Sequence, residues 1–357
     1  MFKTRRIFCI GICILLVSLV SGLFAQKVTT RKIKDMDDRV VEVPVDPQRI
    51  ACLHYISNER VITLGKGGSI TMMMMVPSPW MAKYYPELKK DIIHTMPGAS
   101  SNLELMLEKK IDLTIYAPFP GEAEKYRAAG LSTVCGYAEQ KGPRNIQGYM
   151  ENFKRQYTFF GDLLGPAAKQ MSEKYCKYYD AKLGKILAIT SKINNSDRPT
   201  VYYGGAGGDV LTKSFGKDSA LGWLVEIAGG KYLPFALNTY FASTNVEQLL
   251  SWNPEIILVG GYAHDSVEKV KKDNTWKTLR AVKNNKVYPV PNGITSWEHV
   301  SGESVLLAIY MAKLLHPEQF KDWNMINEMT TFYSEIYGKK VTAQDAERIL
   351  KCLPPIN

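Results

Sequence analysis

The chain has 357 residues, of which 45% are hydrophobic and 22% charged, with a formal charge of +10. That length exceeds what one hydrophobic core usually covers, so two lobes are expected, and the balance excludes a disordered or fibrous chain. The basic excess is spread over lysine-rich helix faces without an arginine–aromatic stripe, which argues against a nucleic-acid partner.

Lys3, Arg5 and Arg6 precede an apolar run from Ile7 to Val20, then Ser21, Gly22 and Ala25. These charged, apolar and small-residue regions predict a secretory leader over 1–25 cut after Ala25, leaving a charge of +7. Cys9 and Cys13 fall too early for a lipid-attachment site, so a free exported protein is expected. Residues 26–144 read as a first lobe. It opens with a hairpin over Arg31–Pro47, followed by apolar strand runs at Ile50–Leu53, Ser69–Val76, Ile111–Tyr116 and Ser132–Cys135, with helical patterns between them. From 145 to 193 there is no strand pattern. Tyr149, Phe153, Tyr157, Phe160 and Leu164, then Met171, Tyr175, Tyr178, Leu183 and Leu187, recur at helical spacing, predicting one long helix with a break signal at Gly165-Pro166. Alternation resumes over 194–357. Strands are predicted at Thr200–Tyr203, Ile256–Val259 and Val287–Val290, and helices at Ala220–Ala228 and Glu303–Leu315. The fold class is therefore α/β: two Rossmann-like α/β lobes joined by a single long backbone helix, with a cleft between them.

One unit occurs twice. Asn102 to Ile115 reads NLELMLEKKIDLTI and Asn245 to Leu258 reads NVEQLLSWNPEIIL, aligned without a gap. Asn suits a helix N-cap and Glu the first turn, so capping chemistry alone is one explanation; duplication of a lobe is the other. Cys52, Cys135, Cys176 and Cys352 show no C-x-x-C spacing, which leaves disulfides and free thiols both open. No nucleophile elbow, HExxH or paired-carboxylate motif is found, so no enzymatic activity is expected.

Asp38-Arg39-Val40-Val41-Glu42-Val43-Pro44 with Pro47-Gln48-Arg49-Ile50, then Pro97-Gly98 and Asn102-Leu103-Glu104, then Ala228-Gly229-Gly230 and Asn245-Val246-Glu247, occur in the order seen in one family. Over about residues 35–330 the chain resembles the class III periplasmic substrate-binding proteins of ABC importers, which carry iron-siderophores, haem, vitamin B12 or related chelates. Lys110-Ile111 departs from the usual Lys-Pro, at a turn. The resemblance implies a monomeric periplasmic protein without an intrinsic cofactor that delivers an iron-siderophore or similar metal chelate to a permease dimer; cobalamin or haem binding, or a sensory or adhesin role, are the alternatives for the same scaffold, and an exported enzyme is the alternative of a different class. It also implies that Glu104 and Glu247 dock on the two permease subunits.

In such a fold, loops after the strands wall the cleft. The ligand-contact candidates are His54, Trp80, Tyr116, Tyr203, His264, Trp297 and His299, with His299 and His264 as possible metal donors, because neutral imidazole is a common ligand. His94 is a further cleft-loop histidine, and His316 is expected to be structural. Met72 to Met75 invite a soft-metal reading, but successive strand residues face opposite ways, which favours a core strand.

Overall fold

The computed structural model describes residues 29–74, 76–90, 93–95, 103–116, 122–137, 144–206, 211–260 and 266–356. The leader over 1–25, Met75, Pro97-Gly98, Asn102 and His264 lie outside the described residues. The described chain opens with an antiparallel hairpin, β1 (Thr30–Lys34) and β2 (Val40–Pro44). The first lobe follows as β3 (Ile50–Cys52), α1 (Tyr55–Thr63), β4 (Ile70–Met74), α2 (Pro79–Tyr84), β5 (Ile93–Thr95), α3 (Leu103–Glu108), β6 (Leu113–Tyr116), α4 (Glu122–Ala128) and β7 (Thr133–Cys135). Its strands form a parallel sheet ordered β5-β4-β3-β6-β7.

The segment expected as one helix over 145–193 is two: α5 (Ile146–Leu164) and α6 (Pro166–Thr190). Gly165 turns between them at φ 105°, open to glycine and costly for other residues, and Pro166 starts α6 where its missing N–H costs nothing. The helices fold back on each other. Phe153 stacks on Tyr179 at 4.5 Å, Tyr157 meets Tyr175 at 4.2 Å, and Ser172 Oγ donates to the Tyr157 carbonyl at 2.8 Å. A Cβ on Gly161 would come within 2.6 Å of the Ser172 Cβ, so glycine permits the close crossing. The 25 residues of α6 alone carry the chain to the second sheet.

The second lobe contains β8 (Thr200–Gly204), β9 (Lys213–Phe215), α7 (Ala220–Ile227), β10 (Lys231–Tyr232), β11 (Phe241–Ser243), α8 (Val246–Trp252), β12 (Ile256–Val259), α9 (Ser266–Lys272) and β13 (Val287–Pro289). Its parallel sheet is ordered β10-β8-β12-β13, and β9 pairs with β11 as a separate antiparallel ribbon. Three helices close the chain: α10 (Ser304–Leu315), α11 (Met325–Glu335) and α12 (Ala343–Leu350). The last does not stay with the second sheet. Asp345 on α12 receives Lys83 Nζ at 2.9 Å and Tyr84 OH at 2.6 Å from α2.

Side-chain alternation explains the layers. Ile50, Cys52, Met73, Val201 and Tyr203 enter one core cluster that runs through both lobes and the α5–α6 hairpin. Ala51 and Met72 on one sheet, and Tyr202 and Ile257 on the other, enter two smaller outer clusters. Met72, Met73 and Met74 are thus buried core strand on both faces, as expected. All four described cysteines are free thiols.

The repeated unit has one physical explanation in both lobes. Lys110 (φ 53°) and Asn253 (φ 41°) end the short helices in the left-handed region at equivalent positions. Asp112 then accepts from the Gln48 and Arg49 amides at 2.8 and 3.0 Å, bracing the start of β3. Glu255 accepts from the Thr200 amide at 2.7 Å, bracing the start of β8. From 103 to 116 and from 246 to 259 every position has the same degree of burial as its counterpart.

Candidate ligand site between the lobes

In parallel sheets, ligands gather where the strand order reverses, outside the carboxyl ends of the strands. The reversals are β3/β6 in the first lobe and β8/β12 in the second. His54 stands at the first, between the end of β3 and the start of α1, and caps nothing with its side chain. Next to it, Tyr55 lies 4.5 Å away between ring centroids, and Tyr137, two residues past β7, lies at 5.9 Å. From the second lobe, His299 meets Tyr55 edge-on at 5.4 Å. Phe215 on β9 reaches His299 at 5.8 Å, Tyr240 at 5.7 Å and Phe241 at 5.6 Å. These rings form one band crossing from lobe to lobe.

The band is electrically quiet. Burial, helped by the Arg60 charge, holds the His54 imidazole down at about 4, and its buried Nδ1 has no hydrogen-bond partner among the described residues. Burial also lowers His299, with Glu298 pulling the other way; His299 Nδ1 lies 2.8 Å from Ser296 Oγ. Both rings are neutral at pH 7 and able to accept or coordinate through a ring nitrogen. Tyr240 keeps 38% of its surface accessible, while its hydroxyl is pushed well above the ordinary phenol value, by burial first and then by Tyr55 and Tyr137 of the first lobe. Phe241, beside Phe215 and Tyr240, is 71% exposed.

Behind the band a second inter-lobe contact is fully buried. Helix α1 has the polar sequence YISNERVIT, yet every residue from Ile56 to Thr63 is buried. Glu59 pairs with Arg60 and accepts Tyr157 OH at 2.8 Å and the Gly302 amide of the second lobe. Arg60 donates to the Val300 carbonyl at 2.7 Å and Gln156 Oε1 at 3.0 Å, and lies 4.5 Å over the Tyr157 ring. Tyr175 OH donates to the Gly302 carbonyl at 3.0 Å. The segment before α10 is fixed from its other side by Glu303. Its carboxylate accepts the Thr295 amide, Trp297 Nε1 and Tyr333 OH, each at 2.7 Å.

The sequence-derived candidates divide accordingly. His54 and His299 are in the band. Tyr203 sits one layer behind, stacked on Phe215 at 5.2 Å and donating to Glu298 Oε2 at 3.0 Å. Tyr116 faces the outer cluster instead, where Arg39 and Arg127 bond its hydroxyl, because it alternates away from the inner face of β6. Trp80 is 3% exposed and donates to the Leu353 carbonyl at 3.1 Å: the returning C-terminal tail covers it. Trp297 is fully buried on Glu303. Those three are core residues. His316 is buried with Nε2 3.0 Å from the Gly229 carbonyl, the structural role expected. His264 and Met75 lie outside the described residues, as does the side chain of His94. Among the described residues no three His, Cys, Asp or Glu side chains converge as a metal cage. Glu104 and Glu247 are exposed, on α3 and α8.

Sequence reasoning missed Tyr55, Tyr137, Phe215, Tyr240 and Phe241. For the first two a signal existed, since both follow a strand end as His54 does. The other three flank or lie in three-residue strands with no periodic pattern.

Comparison with known proteins agrees with this geometry. The family model for periplasmic binding proteins matches residues 50–293, the span from β3 past β13. The molybdate-binding protein MolA of Haemophilus influenzae is 24% identical over 352 residues, covering 94% of this chain and 99% of MolA. The haem uptake protein IsdE of Staphylococcus aureus is 28% identical over 183 residues, 46% of this chain and 60% of IsdE. Among solved structures, a periplasmic solute-binding protein of Veillonella parvula superposes with a TM-score of 0.74 at 18% identity, over 90% of this chain and 97% of that one. MolA bound to molybdate gives 0.74 at 22%, over 87% and 99%. CeuE of Helicobacter pylori, in a nickel–histidine complex, gives 0.68 at 18%, over 90% and 99%. Two parallel sheets, each with a reversal point, a band of rings that crosses between them and a family match across both lobes lead to one assignment: the chain belongs to the periplasmic binding protein family.

Proposed function

We propose that the mature chain, exported by its 1–25 leader into the periplasm, captures a metal complex with an aromatic or planar body and hands it to an ABC permease dimer without chemical turnover. A ferric chelate is the leading ligand and haem or cobalamin the alternative. One observation carries the reading: His54, Tyr55 and Tyr137 from one lobe meet Phe215, Tyr240 and His299 from the other in a continuous band of rings with two neutral imidazoles. Rings of this kind bury large flat ligands with little loss of rotamer freedom, and imidazole can complete a metal's coordination. The full-length similarity to MolA favours a second reading, a metal oxyanion. Against it, no lysine or arginine is among the described members of the band, and the nearby Arg60 is held by Glu59. Glu104 and Glu247 serve as the docking carboxylates, both exposed.

The test is a fluorescence titration of the mature chain with a ferric catecholate, a ferric hydroxamate, haem, cyanocobalamin and molybdate. One organic metal complex is expected to saturate at one equivalent and to be recovered unchanged. Saturation by molybdate alone supports the oxyanion reading; no saturation by any of the five overturns both.

A further inference from the structure

The two copies of the repeated unit fold alike but differ in sequence at most positions. Over 103–116 and 246–259 burial is the same position by position, yet the buried pairs all differ: Met106/Leu249, Ile111/Pro254, Leu113/Ile256, Thr114/Ile257, Ile115/Leu258 and Tyr116/Val259. Of the exposed pairs, Glu108/Ser251 and Lys110/Asn253 differ in chemistry. Past the shared N-cap pair Asn102/Asn245, the two stretches are identical at Glu104/Glu247 and Leu107/Leu250, both exposed. Leu107 is 48% and Leu250 42% accessible. A single exposed leucine needs no explanation. The same leucine kept twice, where the core does not require it and the core itself has changed, does. At i and i+3 the carboxylate and the leucine share one helix face.

Resting on the transport reading above, we propose that Glu104–Leu107 and Glu247–Leu250 are two copies of one docking epitope, each a carboxylate beside an apolar knob. Their partner is a membrane permease with two equivalent subunits, each offering a cationic side chain next to an apolar socket. Duplication of the epitope matches duplication of the partner, and the exposed carboxylate sets the charge of the socket. The carboxylate orients the encounter, while burial of the leucine supplies binding free energy that a solvent-facing ion pair does not.

The experiment uses the importer in proteoliposomes with the loaded binding protein outside, reading ATPase stimulation against binding-protein concentration. Leu107→Gln/Leu250→Gln is expected to leave melting temperature and ligand affinity unchanged while raising the half-maximal concentration roughly tenfold or more. Leu107→Met/Leu250→Met, which keeps an apolar knob, is expected to behave as wild type. Wild-type stimulation by the Gln variant overturns the proposal. If Glu104→Lys/Glu247→Lys fails in that same case, docking by carboxylates stands and only the leucines are idle; if it too stimulates normally, the docking reading falls with it. A Gln variant that melts early, with the Met variant also defective, assigns the leucines to folding and overturns the proposal as well.

Discussion

Two of the regions that join the lobes are built on opposite plans. The inner one, around Glu59 and Arg60, is closed: a charged pair taken wholly out of water and bonded to Gln156, Tyr157, Val300 and Gly302 from separate parts of the chain. The outer one, around His54, Tyr55, Phe215 and Tyr240, is a layer of rings with a buried imidazole nitrogen left unpartnered and a phenylalanine left exposed. A buried ion pair adds little net stability against apolar packing, but it tolerates one geometry only. Arg60 Nε is also buried without a partner, so what sets the outer region apart is its exposed rings, a cost that a folded chain carries where something else is to bind. The inner region therefore fixes the relative position of the lobes, and the outer one is the preformed site that we propose. The folded-back α5–α6 pair and the crossing from α2 to α12 through Asp345 add to the fixed geometry.

The largest expected effect is on the inner side. Arg60→Ala leaves Glu59 buried without its counter-ion and should cost about 3–5 kcal/mol, read as a fall in the midpoint of chemical unfolding. Glu59→Leu/Arg60→Met removes the unpaired charge and should recover part of it, the Tyr157 hydroxyl and the Gly302 amide being left without their acceptor. Wild-type stability in Arg60→Ala would erase the distinction between the two regions.

The next effect is a pH dependence located in the outer region. His54 titrates at about 4 in the fold and near 6.5 in an unfolded chain. Between those values the unfolded state binds the extra proton, so stability is unaffected above pH 6.5 and falls as pH drops toward 4, by at most about 3 kcal/mol. His54→Gln should flatten that part of the stability–pH curve; an unchanged slope would mean that His54 is not held neutral by the fold.

Smaller still in free energy, but specific to function, are Tyr55→Ala and Tyr240→Ala. Both residues retain accessible surface, so each is expected to melt close to wild type while losing about tenfold in affinity for the bound metal complex. Equal losses of stability and affinity would make the band a piece of core rather than a site.

These two regions also mark where the sequence was readable. Strands β3, β4, β6, β8 and β12 were legible because each is a short apolar run between turn signals, and the repeated unit was legible because capping chemistry is local. His54 was found because it follows a strand end. The inner region carried no signal: Glu59-Arg60 sits on a polar helix that reads as a surface helix, and its partners lie more than 90 residues away at Gln156 and more than 230 away at Val300. The same distance problem misplaced Trp80, whose cover is the C-terminal tail at Leu353, whereas the indole of Trp297 is claimed by a near neighbour, Glu303, six residues on. Local pattern predicts an element and its face; what comes to lie against that face is decided by segments that pattern does not connect.

The central claim is that ligand sits in the ring band and is held by both lobes at once. Amide hydrogen exchange on the mature chain, with and without the metal complex that saturates it in the five-compound titration, tests that most directly. Slowed exchange is expected together at 54–58, around 137, at 213–215, at 240–243 and at 296–301, while the amide of Arg60, already buried in the inner region, keeps its rate. Protection confined to one lobe, or appearing away from these segments, would contradict the account.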